Sequence, residues 1–353
     1  MTSRVGPRFG YSIGLVAALL FGLSAPLAKA LLEGVRPQML AGLLYLGAFL
    51  AVAPAQRFRR GRIREAPLHR SDLPRLGAVV LSGGVVAPVL LMLGLERTTG
   101  LSGSLLLNLE GPLTLVVGVL LLREHVGRRS GLGAALIFGG AALLGLQGAT
   151  GHFDLVGAIL IVAACAGWAI DNNITQTLTV RDPFAIVSVK TGVAAVVNIG
   201  LAFLLGGSRP ATRFVVGALI LGALAYGISV VLDAYALRIL GAARESAVFA
   251  TAPFAGAVLA VPLLGDSWGA VEVLATVVMA VGVAIVLRDR HAHRHVHEPL
   301  DHEHRHVHDG HHRHEHPPGV DPMEPHSHPH HHGPLAHAHP HVSDVHHRHE
   351  HQG

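Results

Sequence analysis

Apolar stretches of about 20 residues recur from Tyr11 to Leu287, set apart by short polar punctuation. Each is long enough to cross a bilayer core of about 30 Å as a helix. The hydropathy pattern predicts ten such helices, at 11–33, 37–55, 73–95, 101–122, 130–147, 155–176, 184–206, 214–237, 243–264 and 269–287. The separators carry breaker chemistry, as in "EGVRP" at 33–37, "QGATGHFD" at 147–154 and "GGSRPATR" at 207–214. The expected fold class is an all-α polytopic membrane protein. Composition supports this: 50% of residues are hydrophobic and 14% charged, and mean hydropathy is +0.47 despite a polar C-terminal segment. The 42 glycines and 5% aromatics suit helices packed closely through small residues.

One separator is unlike the rest. Residues 56–75 hold Arg57, Arg59, Arg60, Arg62, Arg64, Arg70 and Arg75, which marks that loop as cytoplasmic by the positive-inside rule. With ten helices, Arg4, Arg8, the "REHVGRR" segment, Arg181, Arg238, Arg244, Arg288 and Arg290 then also lie inside. Only Arg36, Arg97, Arg209 and Arg213 lie outside, and both termini are expected in the cytoplasm. Ala28 and Ala30 give the first helix the look of a cleavable signal. An internal repeat argues that the helix is kept.

That repeat appears when residues 10–147 are laid over 155–290. "LERTTGLSGSLLLNLEGP" at 95–112 matches "ALRILGAARESAVFATAP" at 236–253, placing Pro112 over Pro253. "EHVGRRSGLGAALIFGG" at 124–140 matches "DSWGAVEVLATVVMAVG" at 266–282. The expected domains are two five-helix units, 1–147 and 148–290, followed by a tail at 291–353. A five-helix unit repeated in tandem enters the membrane upside down relative to its twin, an architecture of transporters with a site between the halves.

The duplication, the "LLLNLEGP" to "LLLREHVGRRSGLGAALIFGGAALL" region, the "APFAGAVLAVPLLGDSW" segment and a first helix bearing an intramembrane Lys together resemble the EamA-type branch of the drug/metabolite transporter superfamily, over about residues 10–288. That resemblance implies ten helices, alternating access without ATP hydrolysis, and a substrate drawn from a chemically diverse range of small metabolites.

Ionisable groups inside the spans are the first candidates for the substrate pathway, because they are costly there unless they face a partner or a polar cavity. Glu110 leads, near the middle of the fourth helix and two residues before Pro112, which frees a carbonyl and can kink the chain. Asn108 shares that turn but is expected on another face. Asp171, Asn172 and Asn173 form a second knot, with Trp168 on the face of Asn172. Asp233 is a third candidate, or else a partner of Arg238 about one turn away. The two lysines, Lys29 and Lys190, both fall within spans. Lys29 either lines the cavity or snorkels to the interface, and snorkelling is expected of Lys190. Pro26, Pro88 and Pro253 mark further kinks. No Walker motif, catalytic triad or HExxH occurs, so no enzyme is expected. Cys165 is the sole cysteine, which excludes an intramolecular disulfide.

The tail holds 24 of the 27 histidines and few residues able to build a core, so it is expected to be disordered. Alternating His residues lie about 7 Å apart on one side of an extended chain. His291, His293, His295, His297, His302, His304, His306, His308, His311, His312, His314 and His316 are the expected ligands for Zn, Ni or Co, bound as a regulator or buffer with no cofactor required for transport. Expected partners are the plasma-membrane bilayer, a small-molecule substrate and divalent transition-metal ions; nucleic acid is not expected, and a homodimer is compatible with the sequence. The reading preferred is a secondary permease for a small polar or amphipathic metabolite. The alternative is a divalent-cation exporter whose tail gathers ions.

Overall fold

The computed structural model describes residues 7–59, 66–122, 126–145, 154–178, 181–240 and 242–288, together with four short backbone segments of the tail. Nine helices among the described residues are long and apolar enough to cross a membrane. In chain order the helices are α1 (Arg8–Leu31), α2 (Pro37–Phe58), α3 (Arg70–Arg97), α4 (Gly100–Leu121), α5 (Arg128–Gly145), α6 (Leu155–Gln176), α7 (Pro183–Leu204), α8 (Thr212–Leu237), α9 (Arg244–Leu264) and α10 (Ala270–Leu287). Helix α5 is the one outside the nine, since its 18 residues open on Arg128 and Arg129 and are broken up by five glycines. Large apolar side chains such as Leu120, Val196 and Leu204 stand exposed on the outer surface, as a lipid solvent permits.

Helix neighbours repeat with a shift of five. α2 packs on α7, α5 on α10 and α4 on α9, each pair its own counterpart. The α1–α8 and α1–α9 contacts are matched by α6–α3 and α6–α4. Interruptions recur at the same places. A π-helical segment breaks α3 at Val80–Val86 and α8 at Gly222–Ile228. Helix α4 passes through a 3-10 turn at Leu107–Leu109, and α9 breaks between Phe249 and Ala252. The expected kink at Pro112 thus takes the form of that 3-10 turn, just before Glu110.

Hydrophobicity cannot select helix partners in a membrane, so close packing of small residues does. A Cβ added at Gly222 would lie 2.0 Å from the Leu44 carbonyl oxygen, and one at Gly47 would lie 2.2 Å from that of Leu219. Helices α2 and α8 are therefore in backbone contact. Gly222→Ala is expected to cost about 1–3 kcal/mol, because backbone must yield rather than a side chain. Gly200→Ala on α7, with nothing within 4 Å, should be neutral. Thermal melting of the two variants in detergent compares them.

Past residue 288 only backbone is described, as paired strands where the sequence predicts no structure. Ala292–His297 pairs antiparallel with Leu335–Pro340, and Leu300–His306 with His326–His332. The side chains of the twelve histidines expected as ligands lie outside the described residues.

Candidate functional site

Proline placement creates the polar interior. Pro88 has no N–H to donate back into the π-helical segment before it, where the Gly83 and Gly84 carbonyls accept from side chains instead. Those side chains come from three other helices. Tyr45 Oη (2.7 Å) and Trp168 Nε1 (3.1 Å) donate to Gly83 O, and Asn198 Nδ2 donates to Gly84 O at 3.1 Å. Gln38 Nε2 in turn donates to Asn198 Oδ1 at 3.0 Å. Gly83 is also the position where a Cβ would meet Asp171 Oδ2. Asp171 is buried, bonded to Thr175 Oγ1 (3.1 Å) and ion-paired with Lys190 of α7.

This corrects three sequence expectations. Lys190 does not snorkel; it meets Asp171 because the two lie at equal depth on either side of the α6–α7 turn. Trp168 and Asp171 face α3 and α7 rather than the cavity described next. Asn173 also holds helices together, donating to Ala169 O (2.8 Å) and Thr114 O (3.0 Å).

A cavity of about 410 Å³ lies among α1, α4, α5, α6, α8, α9 and α10. Its wall runs from Val286 and Leu287, at the end that also carries residue 8, inward to Phe21 and Glu110. Its polar groups are Asn108, Glu110, Thr114, Asn172, Asp233, Glu245 and Ser246. Asn172 Nδ2 donates to Glu110 Oε1 at 2.9 Å, joining α6 to α4. Asn108 lines the same cavity while donating to Leu105 O (3.0 Å), so the 3-10 turn brings Asn108 and Glu110 to one side, contrary to the expectation of different faces. Asp233 and Glu245 line the same cavity from either side of the α8–α9 turn; the Arg238 side chain, the expected partner, lies outside the described residues.

The floor is aromatic. Phe21 stands 5.2 Å from Phe249 and 5.9 Å from Tyr226, which stacks on Tyr45 at 5.9 Å. Beyond this stack the opposite end of the bundle is held together. Lys29 Nζ donates to Glu96 O at 3.0 Å there, so it ties helix ends and does not line the cavity. Leu101 N donates to Asp266 Oδ2 at 2.8 Å, fixing α4 to the end of α9. In the same region Arg97 donates through Nε and Nη2 to Asp154 (3.1 and 2.9 Å), and Asp154 caps α6 by accepting from Gly157 N at 2.7 Å. The Arg97 guanidinium, with help from that amide, holds the Asp154 carboxyl below the usual carboxylate range.

Glu245, Phe21 and Phe249 are site residues that sequence reasoning passed over. A signal for Glu245 existed: an acidic residue in the first turn of a span, close across a short turn from a second intramembrane acid, Asp233.

A bundle of membrane-length helices around an internal cavity whose largely apolar wall carries a few polar groups fits a polytopic membrane transporter. The EamA-like transporter family matches residues 8–146 and again 155–288, and the chain belongs to that family. It is 28% identical over 295 residues to an uncharacterized transporter of Methanothermobacter thermautotrophicus, covering 79% of this chain and 86% of the relative. A crystal structure of another protein superposes with a TM-score of 0.58 at 19% identity, covering 79% of this chain and 98% of that one, a likeness of fold.

Proposed function

We propose that the chain is a secondary permease that carries a small polar or amphipathic metabolite across the plasma membrane by alternating access, without ATP hydrolysis and without enzymatic chemistry. The observation that carries this reading is the 410 Å³ cavity, polar at Glu110, Asn172, Asp233 and Glu245 and apolar elsewhere, which enters from one end while the other end is closed by packing. With both termini and the arginine-rich loops in the cytoplasm, the cavity faces inward. The five-shift symmetry of helix contacts supports two inverted halves that exchange roles to open the other side. The histidine tail would bind Zn, Ni or Co on the cytoplasmic side and regulate or buffer. Among the described residues no group of three His, Cys, Asp or Glu side chains converges, which leaves the metal-exporter alternative without a pore site in its favour.

Liposomes containing the full-length protein and loaded with a cytoplasmic extract test this. Protein-dependent loss of one or a few small metabolites, without nucleotide, is expected; loss of none by correctly folded protein would sink the proposal. A chain ending at residue 290 should retain the same flux, since both repeats are complete by residue 288, and only its response to metal should disappear. Abolished flux in a folded truncated chain would show that the tail belongs to the transport machinery.

A further inference from the structure

We infer that the Asp233–Glu245 pair is the docking point for a positively charged group of the cargo, a primary ammonium or a guanidinium on an otherwise apolar body. The inference rests on the permease reading above and names the class of molecule that the cavity takes.

Two carboxyl groups that line one cavity from neighbouring helices repel each other unless something positive lies between them, and a cationic cargo supplies it. Both groups line the cavity wall. Glu245 is only 7% exposed, and its Oε1, like Asp233 Oδ1, has no hydrogen-bond partner among the described residues. Such buried, unused acceptors are costly unless a ligand completes them. Glu110, on α4 across the same cavity, adds a third acidic group and no compensation. The basic residues described on the adjoining ends of α1, α9 and α10, which are Arg8, Arg244 and Arg288, are exposed.

The rest of the wall fits the rest of such a cargo. Phe249 lies one turn beyond Glu245 and packs on Phe21, presenting aromatic surface beside the acids. Ring faces attract cations and pack against apolar bodies. An inorganic divalent ion suits the pair less well, because it would want more ligands than these two carboxyl groups, and no third His, Cys, Asp or Glu converges with them among the described residues.

The test titrates the full-length protein in detergent with three molecules of similar size: phenethylamine, 2-phenylethanol and 3-phenylpropionate. Calorimetry should show the amine binding at least about tenfold more tightly than the alcohol, with the carboxylate weakest. Asp233→Asn and Glu245→Gln should each erase the preference for the amine. Glu245→Asp, which keeps the charge, should preserve much of it, and Glu272→Gln at the far end of α10 should leave it unchanged. Melting of each variant without ligand checks that it is folded. Equal binding of amine and alcohol, no amine binding at millimolar concentration, or a charge preference that survives both neutralising substitutions would overturn the cation site. The permease reading would outlive any of these results, because loss of metabolites from loaded liposomes does not depend on the charge of the cargo.

Discussion

Glu110→Gln is expected to lower transport by roughly tenfold or more while the protein stays folded. Glutamine keeps an oxygen that can accept from Asn172 Nδ2, so the α4–α6 bond seen at 2.9 Å can survive. What disappears is the charge, or the proton that replaces it. A carboxyl group held beside a 3-10 turn in the middle of a span is expensive in a membrane and persists where it does work. Loss of one charge-assisted contact to a cargo, about 1.5–3 kcal/mol, corresponds to roughly 10- to 100-fold in binding. Flux of the metabolite identified by liposome loss measures the effect, with melting temperature as the control. Unchanged flux over a range of pH would remove Glu110 from the pathway and leave it as a link between α4 and α6.

Lys190→Ala should produce the largest loss of stability of any single substitution considered. Its ammonium is the ion-pair partner of Asp171, a carboxylate only 3% exposed, packed against Gly83 in the π-helical segment of α3. Removing one member of a buried pair leaves an uncompensated charge, at a cost of about 3–5 kcal/mol. The double substitution Asp171→Asn with Lys190→Met should recover most of that loss, because burying two neutral groups avoids the desolvation penalty of both ions. Folded yield and melting temperature in detergent give the comparison. A Lys190→Ala protein as stable as the parent would show that Asp171 has another partner and that the pair does not hold α3, α6 and α7 together. Since the pair lies off the cavity wall, the double variant should also retain transport, a result that separates a structural ion pair from a substrate site.

How far the sequence reached can be judged from individual residues. Glu110, Asn108, Asn172 and Asp233 were recognisable as pathway candidates because polar side chains in a membrane span are few, and all four line the cavity. Lys29, Trp168 and Asp171 were equally conspicuous by that criterion but are engaged elsewhere, at Glu96 O, Gly83 O and Lys190. Counting polar residues finds groups that must be satisfied. It does not say whether a cavity, a carbonyl or a counter-ion satisfies them.

The class of protein follows from the sequence alone, because the length and apolarity of a membrane span are one-dimensional properties that the bilayer thickness fixes. The repeat is legible for the same reason: Pro112 over Pro253 predicts paired interruptions, and α4 and α9 are both interrupted there. The site itself was decided in three dimensions. Asp233 and Glu245 become a pair only when α8 and α9 fold back on each other, and Phe21 joins Phe249 only when α1 crosses α9. The Gly83 carbonyl, within a π-helical segment that shows in no hydropathy pattern, accepts from Tyr45 and Trp168 only once α2 and α6 pack on α3. Hydropathy settles which segments enter the lipid, whereas close packing of small residues and the satisfaction of freed backbone groups settle which of their faces meet.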